Sequence, residues 1–482
     1  MDFCKFIFGA GFLALLLSFG APGVSAQDEP QGPPAETKPA ARSNPFPSLD
    51  SDNGQDDSQN STNQLQPDTS PLTGVSNFTL GSSEVRHSYW VPGIQYASNI
   101  QSSQYNQSNS PGWFVDNYIM ANVSLLKAWS RSQLVLNYSG GGMFSSNSQQ
   151  GNGQIQELAV AQTFQWNRLQ LQLLDQFSYL PQAQFGFGGG TGLGIPGAGG
   201  VTVPTVPPVG GGTVPNQSIF ASNGPRYSNT AVIQATYQMT PRTSITAASS
   251  YGILRFLDPG NVDSNSFMGS LGYNYQLTRE DTLGVLYRFT NYQYPGIPQA
   301  FGDQTVNLAY GRKITGRLAF QAAGGPEFST FRVPINHQTS KVGGNGSFNL
   351  SYAFENGSIS GGFVHGLSGG SGVLTGANTN QLNFGVSRKL SRVWSGQLNF
   401  GYARNSAISS STPSTSPSYD SWIVGGGVNR PIGRDISLAL AYSANISKSA
   451  QSGCTGTSCS SSQTVNYITM TFQWHSRPLV LP

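Results

Sequence analysis

Charge is scarce in this chain. Asp, Glu, Lys and Arg make up 10% of its 482 residues, against about a quarter in ordinary soluble domains. The two signs nearly cancel, at net +3, so no basic field exists to attract nucleic acid. Only four histidines occur, His87, His337, His365 and His475. His337 and His365 fall near the outer ends of their segments, with Asp303 or Glu327 as possible neighbours. No nucleophile motif accompanies any of the four, so the sequence predicts no enzymatic activity. Cysteine occurs three times. Cys4 precedes the N-terminal apolar run, which excludes a lipidated N-terminus. Cys454 and Cys459 lie together in "SGCTGTSCSSS" with no other Cys or His nearby, so a disulfide is expected and a metal is not. No cofactor is implied. Beyond the N-terminus no apolar run is long enough for a transmembrane helix. An exported chain without one can cross a membrane only as a closed barrel.

The N-terminus carries export features. Lys5 precedes the apolar run "FIFGAGFLALLLSFG" (6–20), which is shorter than the roughly 20 residues of a spanning helix. Pro22 interrupts it, and "VSA" (24–26) supplies the small residues of a cleavage site. Residues 1–26 are therefore expected to be a signal peptide. Residues 27–84 are rich in Pro, Ser, Asn, Gln and Asp. Segments such as "SDNGQDDSQNSTNQLQPDTS" (51–70) hold too little apolar surface to offset the entropy of ordering. This span is expected to be a disordered tail, serving as a spacer or as a tether to a partner.

From residue 85 to residue 476 one pattern repeats. "DISLALAYSANIS" (435–447) sets Ile436, Leu438, Leu440 and Tyr442 against Ser437, Ala439, Ala441 and Ser443. "TLGVLYRFT" (282–290) and "SGQLNFGYA" (395–403) alternate in the same way. The period is two, that of a strand with one greasy face. The opposite face is Ser, Thr, Asn, Gln and Gly, nearly free of Lys and Glu. A soluble sheet would put charge there. The greasy face is therefore expected to meet lipid and the small polar face to line a lumen. Connections alternate too. Eight are short, such as "WNR" (166–168) and "LTREDT" (277–282). The others are long and rich in Ser, Gly and Pro. Adding a first strand near "WVPGIQYASNI" (90–100) and a last at "TVNYITMTFQW" (464–474) gives about eighteen strands, with sixteen the alternative count. The fold class is all-β, a transmembrane antiparallel up-and-down barrel with both termini on the short-turn side. Residues 477–482 are expected to trail beyond it.

By this pattern the sequence resembles bacterial porin-type outer-membrane proteins over roughly four-fifths of its length. Phe472 and Trp474 end the last strand, and the resemblance implies that the barrel-assembly machinery reads them. It also implies outer-membrane localisation, contact with membrane lipid and lipopolysaccharide, and possible homo-oligomers. In many porins the third long loop folds into the lumen. Here that loop spans residues 181–225 and carries no charged residue in its "QFGFGGG…PPVGGG" stretch. If it folds inward, Phe185, Phe187, Val203 and Val206 are its constriction candidates; a disordered surface flap, or a partner-binding or assembly role, is the alternative. Alternation points Asp116, Glu157, Arg288 and Glu327 inward, with Gln321 and Asn399 offering neutral hydrogen bonds. Gln162, Asp175 and Arg388 fall on apolar faces, where bulges or rim positions are expected. The functional expectation is passive diffusion of small hydrophilic solutes. The alternatives are a polysaccharide-export barrel or a structural or adhesive surface barrel.

Overall fold

The computed structural model describes residues 72–73, 88–102, 112–146, 151–180, 225–258, 261–335, 338–370, 372, 374–408, 417–451 and 460–481. The strands are β1 Tyr89–Ser102, β2 Trp113–Ala128, β3 Ser132–Ser145, β4 Gly153–Gln165, β5 Leu169–Leu180, β6 Arg226–Thr240, β7 Thr243–Phe256, β8 Ser264–Gln276 and β9 Asp281–Gln293. They continue with β10 Ala300–Lys313, β11 Leu318–Ile335, β12 Gln338–Phe354, β13 Gly357–Ser368, β14 Ala377–Lys389, β15 Ser395–Ala407, β16 Pro417–Pro431, β17 Ile436–Gln451, β18 Ser460–His475 and the two-residue β19 Leu479–Val480. Each of the first eighteen pairs antiparallel with its chain neighbours, and β1 pairs with β18. The sheet is closed, and the expected eighteen spanning strands are present.

Closure follows from the alternation. Along β10, Gln304, Val306 and Leu308 are exposed, while Asp303, Thr305, Asn307 and Ala309 are buried. On β17, Leu440 and Tyr442 are exposed, whereas Ala439 and Asn445 are buried. Large apolar side chains thus cover the outside: Leu398 is 62% exposed and Leu308 58%. Such a surface is stable only against lipid, and inside lipid every backbone N–H and C=O must find a partner within the sheet. Aromatic residues mark the edges of the apolar belt. The Arg430 guanidinium lies 5.4 Å over the Trp394 ring at the short-turn end. Lys448 sits 5.3 Å over Trp422 at the other.

The short turns reuse one device. Thr278, Thr315 and Ser391 each place a hydroxyl oxygen to accept from backbone N–H groups two and three residues on. The hydroxyl satisfies donors that the tight turn leaves outside the ladder. This explains why "LTRED", "ITGRL" and "LSRVW" look alike without being repeats.

Several expectations are revised. No bulge lies at Gln162 or Asp175, because the β4–β5 register runs unbroken from Gln156↔Tyr179 to Gln165↔Gln170. Asp175 keeps its place on the outer face in mid-strand, and Asn229 Nδ2 of β6 donates to its Oδ1 at 2.8 Å. A neighbour on the same face, not a backbone irregularity, accommodates the charge. Arg388 does lie at a rim, one residue from the end of β14. The last residues do not trail away. Ser476 N donates to Pro92 O at 2.9 Å, and Leu479–Val480 pairs with Tyr89 and Trp90. Pro92 falls in the gap between the β19 and β18 pairings of β1. Its missing N–H faces a break in the ladder, which is why a proline is tolerated within this strand. In the span expected to be a solvated tail, the described residues are Leu72 and Thr73, and both are buried.

Facing can be checked by substitution. Leu440→Arg, on the lipid side, should destabilise the barrel by about 2–4 kcal/mol if it lies near the bilayer midplane. Ser443→Arg, on the inner face, should leave stability nearly unchanged. Equilibrium unfolding in urea from lipid vesicles measures both, and equal losses would refute the assigned faces.

Candidate functional site

The inner wall is mostly Ser, Thr, Asn, Gln and Gly, and one sector of it, β9 to β11, brings three charged residues together. Thr305 of β10 is paired with Arg288 of β9 on one side and Glu327 of β11 on the other. Cross-strand partners share a face, so all three point inward with Thr305, which is fully buried. Asp303 lies one inward position further along β10. Its Oδ2 is 3.9 Å from Arg288 Nη2, and it lies within hydrogen-bonding reach of Glu327. Glu327 Oε1 accepts from the Leu367 backbone N–H of β13 at 3.1 Å. One guanidinium therefore faces two carboxyl groups. Asp303 Oδ1 and Arg288 Nε are buried without a hydrogen-bond partner among the described residues. Buried polar atoms left this way are costly, and a hydrated ion or a hydroxylated solute can satisfy them.

Above this group, toward the long-loop end, aromatic side chains gather on the inner face. Tyr292, Tyr294, Phe301, Phe331 and Leu367 form one buried cluster, with Tyr292 and Phe301 stacked at 4.7 Å between ring centroids. The loop joining β13 to β14 (residues 369–376, of which 371 and 373 lie outside the described set) reaches this cluster. Tyr294 Oη donates to Gly369 O at 3.1 Å. Val262, between β7 and β8, donates its backbone N–H to Gly372 O at 2.8 Å. A loop anchored on β13 thus bonds five strands away, across the mouth. Gly372 makes this possible. Its φ is +82°, a conformation disfavoured for residues with a side chain, and the Phe256 ring occupies the space a Cβ would need.

The sequence candidates distribute as follows. Arg288 and Glu327 are brought together through Asp303, which sequence reasoning considered only as a neighbour of histidine. Alternation along "FGDQTVN" places Asp303 inward, but its companions emerge only from the register. Asp116 also faces inward, fully buried on β2, and accepts from Gln101 Nε2. Glu157 faces inward on β4 beside Ile155 and Ala159. Gln321 pairs with Gly311 near the short-turn end, and Asn399 sits inward between Gly385 and Gly425. These four stand apart from the Arg288 group. His365 lies within β13, half-buried, with Nδ1 2.7 Å from Asn380 Oδ1. It is a strand residue near the long-loop end of β13, the outer end at which the sequence placed it. His337, the constriction candidates Phe185, Phe187, Val203 and Val206, and Cys454 and Cys459 all lie outside the described residues. The loop at 369–376 was not among the candidates. Its signal was four glycines in eight residues, "GGSGVLTG".

No family model matches the sequence, and no curated protein matches it. Solved structures similar to this chain include the outer-membrane protein OpdK of Pseudomonas aeruginosa, at 9% identity and a TM-score of 0.40, covering 80% of this chain and 98% of that one. A BenF-like porin of Pseudomonas fluorescens gives 9% identity and 0.41, covering 82% and 100%. The ferric-catecholate import receptor Fiu of Escherichia coli gives 10% and 0.37, covering 84% and 86%. By its own architecture, an even-numbered closed antiparallel barrel with an apolar outside, the chain is built to span the bacterial outer membrane.

The loop contact yields a prediction. Gly372→Ile should displace the loop from Phe256 and release the Val262 amide. Hydrogen exchange at Val262 should then quicken relative to Leu308 in mid-barrel, with the urea midpoint little changed. Unaltered exchange at Val262 would show that the loop is held by something else.

Proposed function

We propose that this protein is a non-catalytic outer-membrane channel that passes small hydrophilic solutes by diffusion. The observation that carries this reading is the inward-facing group of Arg288, Asp303 and Glu327, set in a wall of neutral hydrogen-bonding side chains. A bore lined with Asn, Gln, Ser and Thr replaces part of a solute's hydration shell without binding it tightly. Charges of both signs at one level favour a solute that offers donors and acceptors together. They also keep selectivity between cations and anions weak. The aromatic cluster above them takes up inner space without adding charge, which suits small solutes over large ones.

Single-channel recording of the refolded protein in planar bilayers tests the reading. The parent should conduct with little ion preference. Arg288→Gln leaves two carboxyl groups uncompensated and should shift the reversal potential in a KCl gradient toward cations. Asp303→Asn with Glu327→Gln should shift it toward anions. A folded barrel that passes no current would return the protein to the structural or adhesive alternative.

A further inference from the structure

Near the short-turn end of the bore, the inner wall carries a notch. Asn274, Gly284 and Ala309 pair in a row across β8, β9 and β10. Gly272 and Gly311 lie one inward position away, on β8 and β10. A wall of small residues could be a simple widening of the bore. This one is filled by a segment of the chain that precedes the barrel.

Thr73 is 1% exposed and Leu72 6%. Thr73 donates its backbone N–H to Asn274 Oδ1 at 3.0 Å. Asn274 Nδ2 donates in return to Thr73 Oγ1 at 2.8 Å. Both ends of the amide are thus spent on one residue 201 positions earlier in the chain. Leu72 packs on Ala309. The glycines have no side chain where the segment sits. A Cβ at Gly272 would overlap the Thr73 side chain, one at Gly284 would lie 2.9 Å from Thr73 Cγ2, and one at Gly311 would lie 3.0 Å from Leu72 Cδ1. Apolar contact, a two-way amide bond and three vacated positions fit the same two residues. That is the complementarity of a binding site and its ligand.

We propose that the notch on β8–β10 is a docking site for Leu72 and Thr73 of the chain preceding the barrel, and that these two residues, held inside the bore, act as a built-in restriction at its short-turn end. The connection allows it. Fourteen residues (74–87) join Thr73 to Ser88, and a chain of that length can reach at most about 50 Å. Ser88 lies at the short-turn rim of β1, the same end of the barrel as the notch. A side-chain amide bonded both ways and a leucine in a small-residue pocket form a modest, reversible attachment. The restriction is therefore releasable, either by a competitor for Asn274 or by tension on the residues before Leu72.

The test has two arms, and only the second rests on the channel reading. In a Cys454→Ser/Cys459→Ser background, Thr73→Cys and Gly284→Cys are combined. A sulfur at the Thr73 Cγ2 position would stand 2.9 Å from the new Cβ, which matches the about 3 Å across a disulfide's Cβ–S–S. Mild oxidant applied to intact membranes should cross-link most of the protein, read by mass spectrometry of the bridged peptides. A Thr73→Cys/Asn399→Cys control, with its partner on β15, should not cross-link. Failure of the first pair, or equal linking of both, overturns the docking. In the second arm, Gly284→Leu fills the notch and Leu72→Asp weakens the segment's hold. Either change should raise single-channel conductance about two-fold over the parent, since pore diameter sets the current, and the cross-linked form should stay at the parent value. Leu72→Asp lies outside the barrel wall and leaves its folding intact, so parent conductance in that variant overturns the restriction even if Gly284→Leu does not fold. A silent bilayer with the cross-link formed would reject the channel reading and the restriction while upholding the docking.

Discussion

The whole structure depends on one requirement: no backbone hydrogen-bonding group may be left open where water is absent. A flat sheet of these strands would have two open edges. Joining β1 to β18 removes both, and nine consecutive register pairs from Gly93↔His475 to Gln101↔Tyr467 complete the ladder. Closure fixes everything else. It forces one face of every strand outward, so large apolar residues recur at alternate positions along the strands. It also forces the other face into a bounded space, where polar side chains must satisfy one another or a guest. The short strand β19 extends the seam beyond the last aromatic residue, at the point where Pro92 cannot contribute a donor.

The arrangement inside the bore is set by register more than by composition. Arg288 and Glu327 are 39 positions apart in the chain, yet both flank Thr305. The group they form with Asp303 sits beneath a roof of aromatic rings and a glycine-rich loop. Polar charge at mid-height, rings above and a docked segment below all use the same sector, β7 to β11.

Much of the fold was legible in the sequence because a strand in a barrel obeys a rule of period two, which any short stretch displays. Ile436 to Tyr442 gave the facing, and the eight short connections gave the count. The site was less legible. Alternation says which way Asp303 points but not what lies beside it, since neighbours across a sheet depend on the length of every intervening turn. Asp175 shows the same limit: its charge on an apolar face looked like a break in the strand, whereas the answer was Asn229, one strand away. Leu72 was obscured for a different reason. A tail is judged by its average composition, and four leucines among 22 Ser, Asn and Pro do not single out the one that is buried. Burial of that leucine depends on a pocket made by glycines two hundred residues later.

That separation bears on the order of assembly. Hairpins such as β8–β9 form from neighbouring residues and can appear early, because little chain must be gathered to close them. The notch requires three such strands in register before it exists, so Leu72 and Thr73, which precede all three in the chain, are among the last residues to find their place. The seam behaves alike, with Asn99 meeting Thr469 across 370 positions. Leu72 and Thr73 can therefore take their places only once β8, β9 and β10 lie side by side, so the contact earliest in the chain is completed after contacts far later in it.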